Sequence, residues 1–285
     1  MSLRFGLFLP PFAELAEPGR VVELARSAEE AGWDGLFLWD HILASPGMPV
    51  ADSWITMAAV AQATARMRLG LLVTPLARRR PWVVAREAAT LDRLSKGRLV
   101  VGVGLGDDGW REFSSFRGET VDPTQRAPIL DDSLELLRRF WSGEEVRWEG
   151  THFSVDSSSF LPKPAQDPLP IWVACRWPHR RPLARAAHHQ GCFPLFDQGG
   201  WDIPVFPDPT DITTVRSELI EQGACVGIDI VCRGVSNMIE ARERSEGFAA
   251  LEAVGMTWWL ESFGPGEPPV EIVEDVVRRG PAVIT

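Results

Sequence analysis

Short, wholly apolar runs alternate along this chain with longer segments whose apolar residues recur every three or four positions. The clearest example spans residues 68–107. Residues 69–74 form an apolar run closed by Pro75. From Pro81 onward Val84, Ala88, Leu91 and Leu94 share one helical face, and Pro81 suits a first turn, where its missing N–H would have no partner. Gly97 stands where a left-handed residue ends the helix. Leu99, Val100, Val101 and Val103 are apolar on both faces, as buried parallel strands are. Strand, crossover helix and strand make a right-handed βαβ unit in a parallel sheet.

The same alternation predicts strands at 4–9, 35–39, 171–174, 192–195, 226–231 and 256–260. Helices are predicted at 21–31, 126–140, 178–189, 207–221, 237–253 and 270–279, and another follows the candidate caps Asp52 and Ser53. Residues 104–125 read as irregular, and 142–170 as an excursion with a small hairpin. Alternating strand and helix about eight times over 285 residues predicts an α/β fold, a (β/α)8 TIM barrel. Its insertions fall after the fourth strand and before the fifth, in one domain covering residues 1–285. An open doubly wound sheet is the alternative. It would carry G-x-G-x-x-G after the first strand, where this chain has Leu9-Pro10-Pro11. The glycines 102, 104 and 106 more often serve close backbone approach than nucleotide binding.

Composition narrows the partners. With 45% hydrophobic and 24% charged residues an ordinary globular core is expected. A net charge of −10 disfavours nucleic acid and anionic membrane surfaces, while leaving room for a local basic pocket. No segment reaches the roughly 20 apolar residues of a membrane span. Cys175, Cys192, Cys225 and Cys232 lack C-x-x-C spacing, so free thiols in a cytoplasmic protein are expected, with no metal site. His152, His179, His188 and His189 lack ligand spacing and read as structural.

A barrel builds its site at the C-terminal ends of its strands. Those ends carry Asp40-His41, Thr74, Gly104, Gly106 and Asp107 with Trp110 nearby, Arg176-Trp177, Arg233 and Glu261. Imidazole titrates near neutrality and a neighbouring carboxylate raises its basicity, so Asp40-His41 reads as a proton-handling pair or as a structural one. R-W-P-H-R-R-P-L-A-R after the fifth strand is a candidate phosphate site through Arg176, Trp177 and Arg180 and the N–H groups of the helix start, with Arg181 and Arg185 on the helix surface. Arg78, Arg79 and Arg80 read as a solvated charge run.

V-T-P, R-R-R-P-W, A-T-L-D-R-L-S-K-G-R-L-V-V-G-V-G-L-G and W-S-G-E-E-V-R-W-E-G-T-H-F together resemble the luciferase-like flavin and deazaflavin oxidoreductase family. W-D-G-L-F-L-W-D-H resembles the second-strand segment of its deazaflavin-dependent branch. The resemblance implies an enzyme using coenzyme F420, with hydride transfer to or from a small organic substrate. His41 would move the proton and Asp40 would lie beside the cofactor ring. Asp107 stands where some relatives have an acidic proton donor, or is a solvated loop residue. Leu71, Leu72, Thr74, Gly104, Arg176, Trp177 and Arg180 are implied cofactor contacts. A non-proline cis peptide, at Leu71–Leu72 by position, would sit behind the ring. Phe12 and Trp110 are assigned to the substrate pocket, with Trp110 flanking the ring or forming a lid. One of the arginines 78–80 would reach the cofactor tail. Where the family often has two glycines before Arg176, this chain has Ala174 and Cys175. The alternatives are a monooxygenase using reduced FMN and dioxygen, and a flavin-binding relative without turnover. Barrels of this family often dimerise, so a homodimer is a further expectation.

Overall fold

The computed structural model describes residues 2–196, 206–237, 239–266 and 268–281. The first half runs β1 (Arg4–Leu9), α1 (Pro18–Glu30), β2 (Gly35–Leu38), α2 (Ser53–Ala63), β3 (Arg68–Pro75), α3 (Pro81–Leu94), β4 (Leu99–Gly104) and α4 (Pro123–Ser142). A hairpin follows, β5 (Val146–Glu149) with β6 (Ser154–Ser157), and then β7 (Ile171–Arg176), α5 (Arg180–Ala186) and β8 (Gly191–Leu195). The chain continues through α6 (Pro209–Glu221), β9 (Asp229–Gly234), α7 (Ala241–Ala253), β10 (Trp258–Ser262) and α8 (Val270–Arg279). Eight strands close into a barrel in the order β1-β2-β3-β4-β7-β8-β9-β10, every neighbouring pair parallel. Closure leaves no sheet edge, which disposes of the open-sheet alternative.

Two apolar layers hold this arrangement. Leu7, Leu36, Leu69, Val101 and Val173 face outward to the helices, meeting Val21, Val60, Val84, Leu137 and Leu183. Inside the barrel Phe37, Trp172 and Trp258 pack as a block, with Phe37 stacked on Trp172 at 5.1 Å between centroids. Such bulk fits because the neighbouring strands carry glycine: a Cβ at Gly70 would lie 2.8 Å from the Phe37 ring. The block fills the barrel floor, so the open space lies at the mouth.

Several element ends differ from the pattern-based expectation. The seventh barrel strand, expected at 226–231, is Asp229–Gly234, and Val226 is exposed. The eighth, expected at 256–260, is Trp258–Ser262. Both shifts place Arg233 and Glu261 inside strands. The helix expected from 178 to 189 is the seven-residue α5, because Gln190 N–H already donates to Ile171 O and draws the chain into β8. The helix expected from 237 starts at Ala241, since Glu261 holds Asn237 by both its backbone N–H and its amide. In contrast α4 begins three residues early, at Pro123, where Asp122 accepts from Thr124 N–H at 2.8 Å.

Candidate active site

A cavity of about 1140 Å³ opens at the C-terminal ends of the strands. Its inner wall includes Phe8, Trp39, Asp40, His41, Leu72, Val73, Gly104, Ala174, Phe193 and Arg233. An outer arm runs between the start of α4 (Thr124, Arg126, Ala127) and α5 (Arg180, Arg181, Arg185). The cavity therefore joins an apolar, aromatic interior to a cationic groove on a chain that is acidic overall.

Asp40 is fixed from three sides. Its Oδ2 accepts from the Thr74 hydroxyl at 2.7 Å and from Trp54 Nε1 at 3.1 Å, and Arg79 lies 3.9 Å away. The Ser53 hydroxyl donates to Trp39 O while Asp52 caps α2, so the helix after β2 grips the backbone beside Asp40. Thr74 thus serves the site through Asp40, its side chain being fully buried and off the cavity wall.

β3 carries a bulge here: Leu71 pairs with Val101 and Thr74 with Val103, so an extra residue is accommodated on β3. The non-proline cis peptide is Leu72–Val73, one residue later than the expected Leu71–Leu72. Strand alternation sends Leu71 outward into the helix-facing layer, away from the cavity, while Leu72 points in and the bulge adds Val73 to the wall. Gly102 opposite permits this, for a Cβ there would sit 2.2 Å from the Leu71 carbonyl oxygen.

His41 is held by a residue that the sequence reading did not single out. Its Nδ1 lies 2.5 Å from Glu112 Oε2. Glu112 Oε1 accepts from the backbone N–H of Ile42 at 2.6 Å, and Arg78 Nη1 stands 3.0 Å from the same oxygen, within ion-pair range though bent away from a linear hydrogen bond. Glu112 is only 1% exposed. Burial opposes its charge, but the His41 bond, the His41 and Arg78 charges and the Ile42 N–H outweigh burial and hold its carboxyl below the usual range. Phe12, Trp39 and Trp110 surround the imidazole at centroid distances of 5.7, 5.9 and 4.8 Å. Phe12 and Trp110, expected in the substrate pocket, are accordingly walls around His41 and do not line the main cavity. Asp108 shapes the turn that brings Glu112 inward by accepting from Phe113 N–H and Ser114 N–H.

The arginines divide differently from expectation. Arg78, read as part of a solvated run, is buried and also donates to Asp40 O at 3.2 Å. Arg181 and Arg185, read as helix surface, line the cavity; Arg181 is exposed as expected, while Arg185 is mostly covered and pairs with Asp131 at 2.5 Å. Arg176 lines the cavity 3.8 Å from Asp107 Oδ2, and both are largely exposed. Arg180 reaches back to Glu218 at 3.2 Å. Trp177 points away from the cavity and donates from Nε1 to Asp211 on α6.

Arg126 was also missed. It is 3% exposed, its guanidinium lies over the Phe113 ring at 4.0 Å, and its Nε and Nη1 have no hydrogen-bond partner among the described residues. Burial pushes its pKa down, opposed by Asp108, Asp107 and Asp122. A signal was present in the sequence: a cation in the first turn of α4 opposes the helix dipole and calls for a counter-charge.

Eight parallel strands closed on themselves, with an acid–imidazole pair and a cationic groove at one mouth, define a (β/α)8 barrel whose site is built at the C-terminal face. Residues 3–196 match the family described as luciferase-like monooxygenase, and the chain belongs to that family. Among curated proteins it is 32% identical over 171 residues to the F420-dependent glucose-6-phosphate dehydrogenase of Gordonia bronchialis, covering 58% of this chain and 50% of that protein. It is also 32% identical over 195 residues to the enzyme of the same description from Nakamurella multipartita, covering 64% and 53%. The chain therefore spans about half the length of these relatives. Among solved structures, an F420-dependent secondary alcohol dehydrogenase in complex with an F420-acetone adduct superposes with a TM-score of 0.79 over 100% of both chains at 17% identity. The monooxygenase RslO1 from Streptomyces bottropensis gives 0.75 over 97% of each at 21% identity. These two likenesses bear on the fold alone. Among the described residues no helix is long and apolar enough to cross a membrane.

Proposed function

We propose that this protein is an oxidoreductase that uses coenzyme F420 and exchanges a hydride with a small organic substrate. The observation that carries the reading is the Asp40-His41 pair at the inner wall of the cavity, each side chain held by its own buried partners. The relatives described as F420-dependent support it, as does the fit of the cationic arm to an anionic cofactor. Arg126 in particular lines that arm, and its buried Nε and Nη1 have no hydrogen-bond partner among the described residues. The cofactor, when bound, supplies a ring carbon that gives or takes a hydride.

The chain's own residues do the rest. Leu72 and Val73 offer an apolar shelf for a flat ring, and Phe8, Trp39 and Phe193 keep water from the inner end. Arg126, Arg176 and Arg181 would hold anionic oxygens. His41 would take or give the proton at the substrate oxygen, and Asp40 would sit against the polar edge of the ring. Asp107 is exposed and accepts from Gly109 N–H, so it suits the rim better than the inner wall. The family's own description favours a second reading, a monooxygenase using reduced FMN and dioxygen.

Titration of the protein with F420 and separately with FMN, followed by absorbance and fluorescence, tests the proposal. Micromolar binding of F420 with none of FMN is the expected result. Binding of FMN alone selects the monooxygenase, and binding of neither overturns both.

A further inference from the structure

The network around His41 has a polarity of its own. Glu112 Oε1 is committed to donors: the backbone N–H of Ile42 at 2.6 Å, that of Leu43 at 3.3 Å, and the Arg78 guanidinium. The other oxygen, Oε2, is left for His41 Nδ1 at 2.5 Å. A carboxylate only accepts, so the proton on that side of the imidazole must sit on Nδ1. Across the ring Nε2 is then a free base turned to the cavity that His41 lines. The flanking rings of Phe12, Trp39 and Trp110 offer the imidazole edges and faces but no competing acceptor of comparable strength.

The geometry assigns Glu112 as the positioning residue that sets the tautomer of His41 and leaves Nε2 as its unprotonated nitrogen. Arg78 acts one step further out. It keeps Glu112 ionised in a site that is almost completely buried, and it ties the pair to the Asp40 backbone through its bond to Asp40 O. The inference rests on reading His41 as the proton-handling group, and it adds the residue that places the exchangeable proton site on Nε2.

Glu112→Gln is the discriminating variant because it is isosteric yet directional. The N–H groups of Ile42 and Leu43 and the Arg78 guanidinium demand an oxygen where Oε1 now lies. The amide NH₂ must then face Nδ1 and donate to it. His41 is thereby forced into the Nε2–H form, the wrong tautomer for a base at the cavity. An Asp→Asn change beside a catalytic His in the Ser-His-Asp hydrolases acts through the same logic.

Imidazole-¹⁵N NMR of the cofactor-free protein reads this directly, and a His41→Gln spectrum assigns the signal among the five histidines. Wild-type protein with a neutral His41 is expected to show the Nδ1–H form, and Glu112→Gln the Nε2–H form. Turnover should fall at least about 10-fold. In a His41→Gln background Glu112→Gln should add nothing. An Nε2–H tautomer in wild type, an unchanged tautomer in the variant, or full additivity of the two substitutions each overturns the assignment. If Glu112→Gln does not fold, the wild-type spectrum still decides. Failure of F420 to bind would defeat the proposed function without touching the tautomer result, so the two can fail separately.

Discussion

Replacing Arg126 by Met should make the cofactor-free protein more stable while weakening its hold on an anion. The guanidinium is 3% exposed and two of its nitrogens, Nε and Nη1, lack partners among the described residues. Each buried unsatisfied group costs about 1–3 kcal/mol, so relief of two amounts to about 2–6 kcal/mol. Against this stands the lost contact with the Phe113 ring, about 1–2 kcal/mol for a desolvated cation–π pair, and the loss of attraction from Asp107, Asp108 and Asp122. Met fills a similar volume and makes a sulfur–aromatic contact with Phe113 that recovers part of the packing. The expected balance is a gain of about 1–3 kcal/mol, read as a higher urea midpoint with an unchanged slope. Ligand-linked stabilisation should move the opposite way. Saturating F420 should raise the midpoint of wild type, and much less that of Arg126→Met, because the positive charge that lines the cationic arm is gone. A variant less stable than wild type would refute the claim that the unpartnered nitrogens cost more than the contacts of this cation return, and equal stabilisation of both proteins by F420 would remove Arg126 from the cofactor site.

His41→Ala should lower turnover by on the order of 10²-fold or more with little change in F420 affinity, measured by steady-state kinetics beside a binding titration; unchanged turnover would take His41 out of the mechanism. His189 is held neutral by burial and by the charges of His188 and Arg185, its pKa pushed from 6.5 to about 4. A depressed folded value means this stability is fully present above 6.5 and is lost as pH falls from there toward about 4. Urea midpoints between pH 7 and 4 should therefore fall less steeply for His189→Asn than for wild type, and parallel curves would show that His189 does not contribute.

The legible and illegible parts of the site separate by range. Asp40 and His41 could be read because they follow a short apolar strand directly, and strand ends face the barrel mouth by construction. Glu112 could not, because it sits eight residues beyond the end of β4 in a loop without periodicity and reaches His41 only through the turn that Asp108 and Phe113 shape. Arg78 and Arg185 look like surface charge in a local window. Whether an arginine is solvated depends on what lies above it, and here that is the loop after β4, the start of α4 and the rim of the mouth. The cis peptide fell one residue from its expected place because its position follows the bulge against β4, a property of two strands at once.

The order of apolar runs and amphipathic segments, with glycines at helix ends and prolines at helix starts, was enough by itself to determine a parallel α/β sheet of about eight strands and to favour a barrel, since each of these rests on local geometry and chain chirality; closure itself was seen only in the structure. Which polar groups converge at its mouth was decided only in three dimensions. Burial, a shared carboxylate and the packing around a buried arginine are relations that tertiary structure sets, and nothing in a window of neighbours carries them.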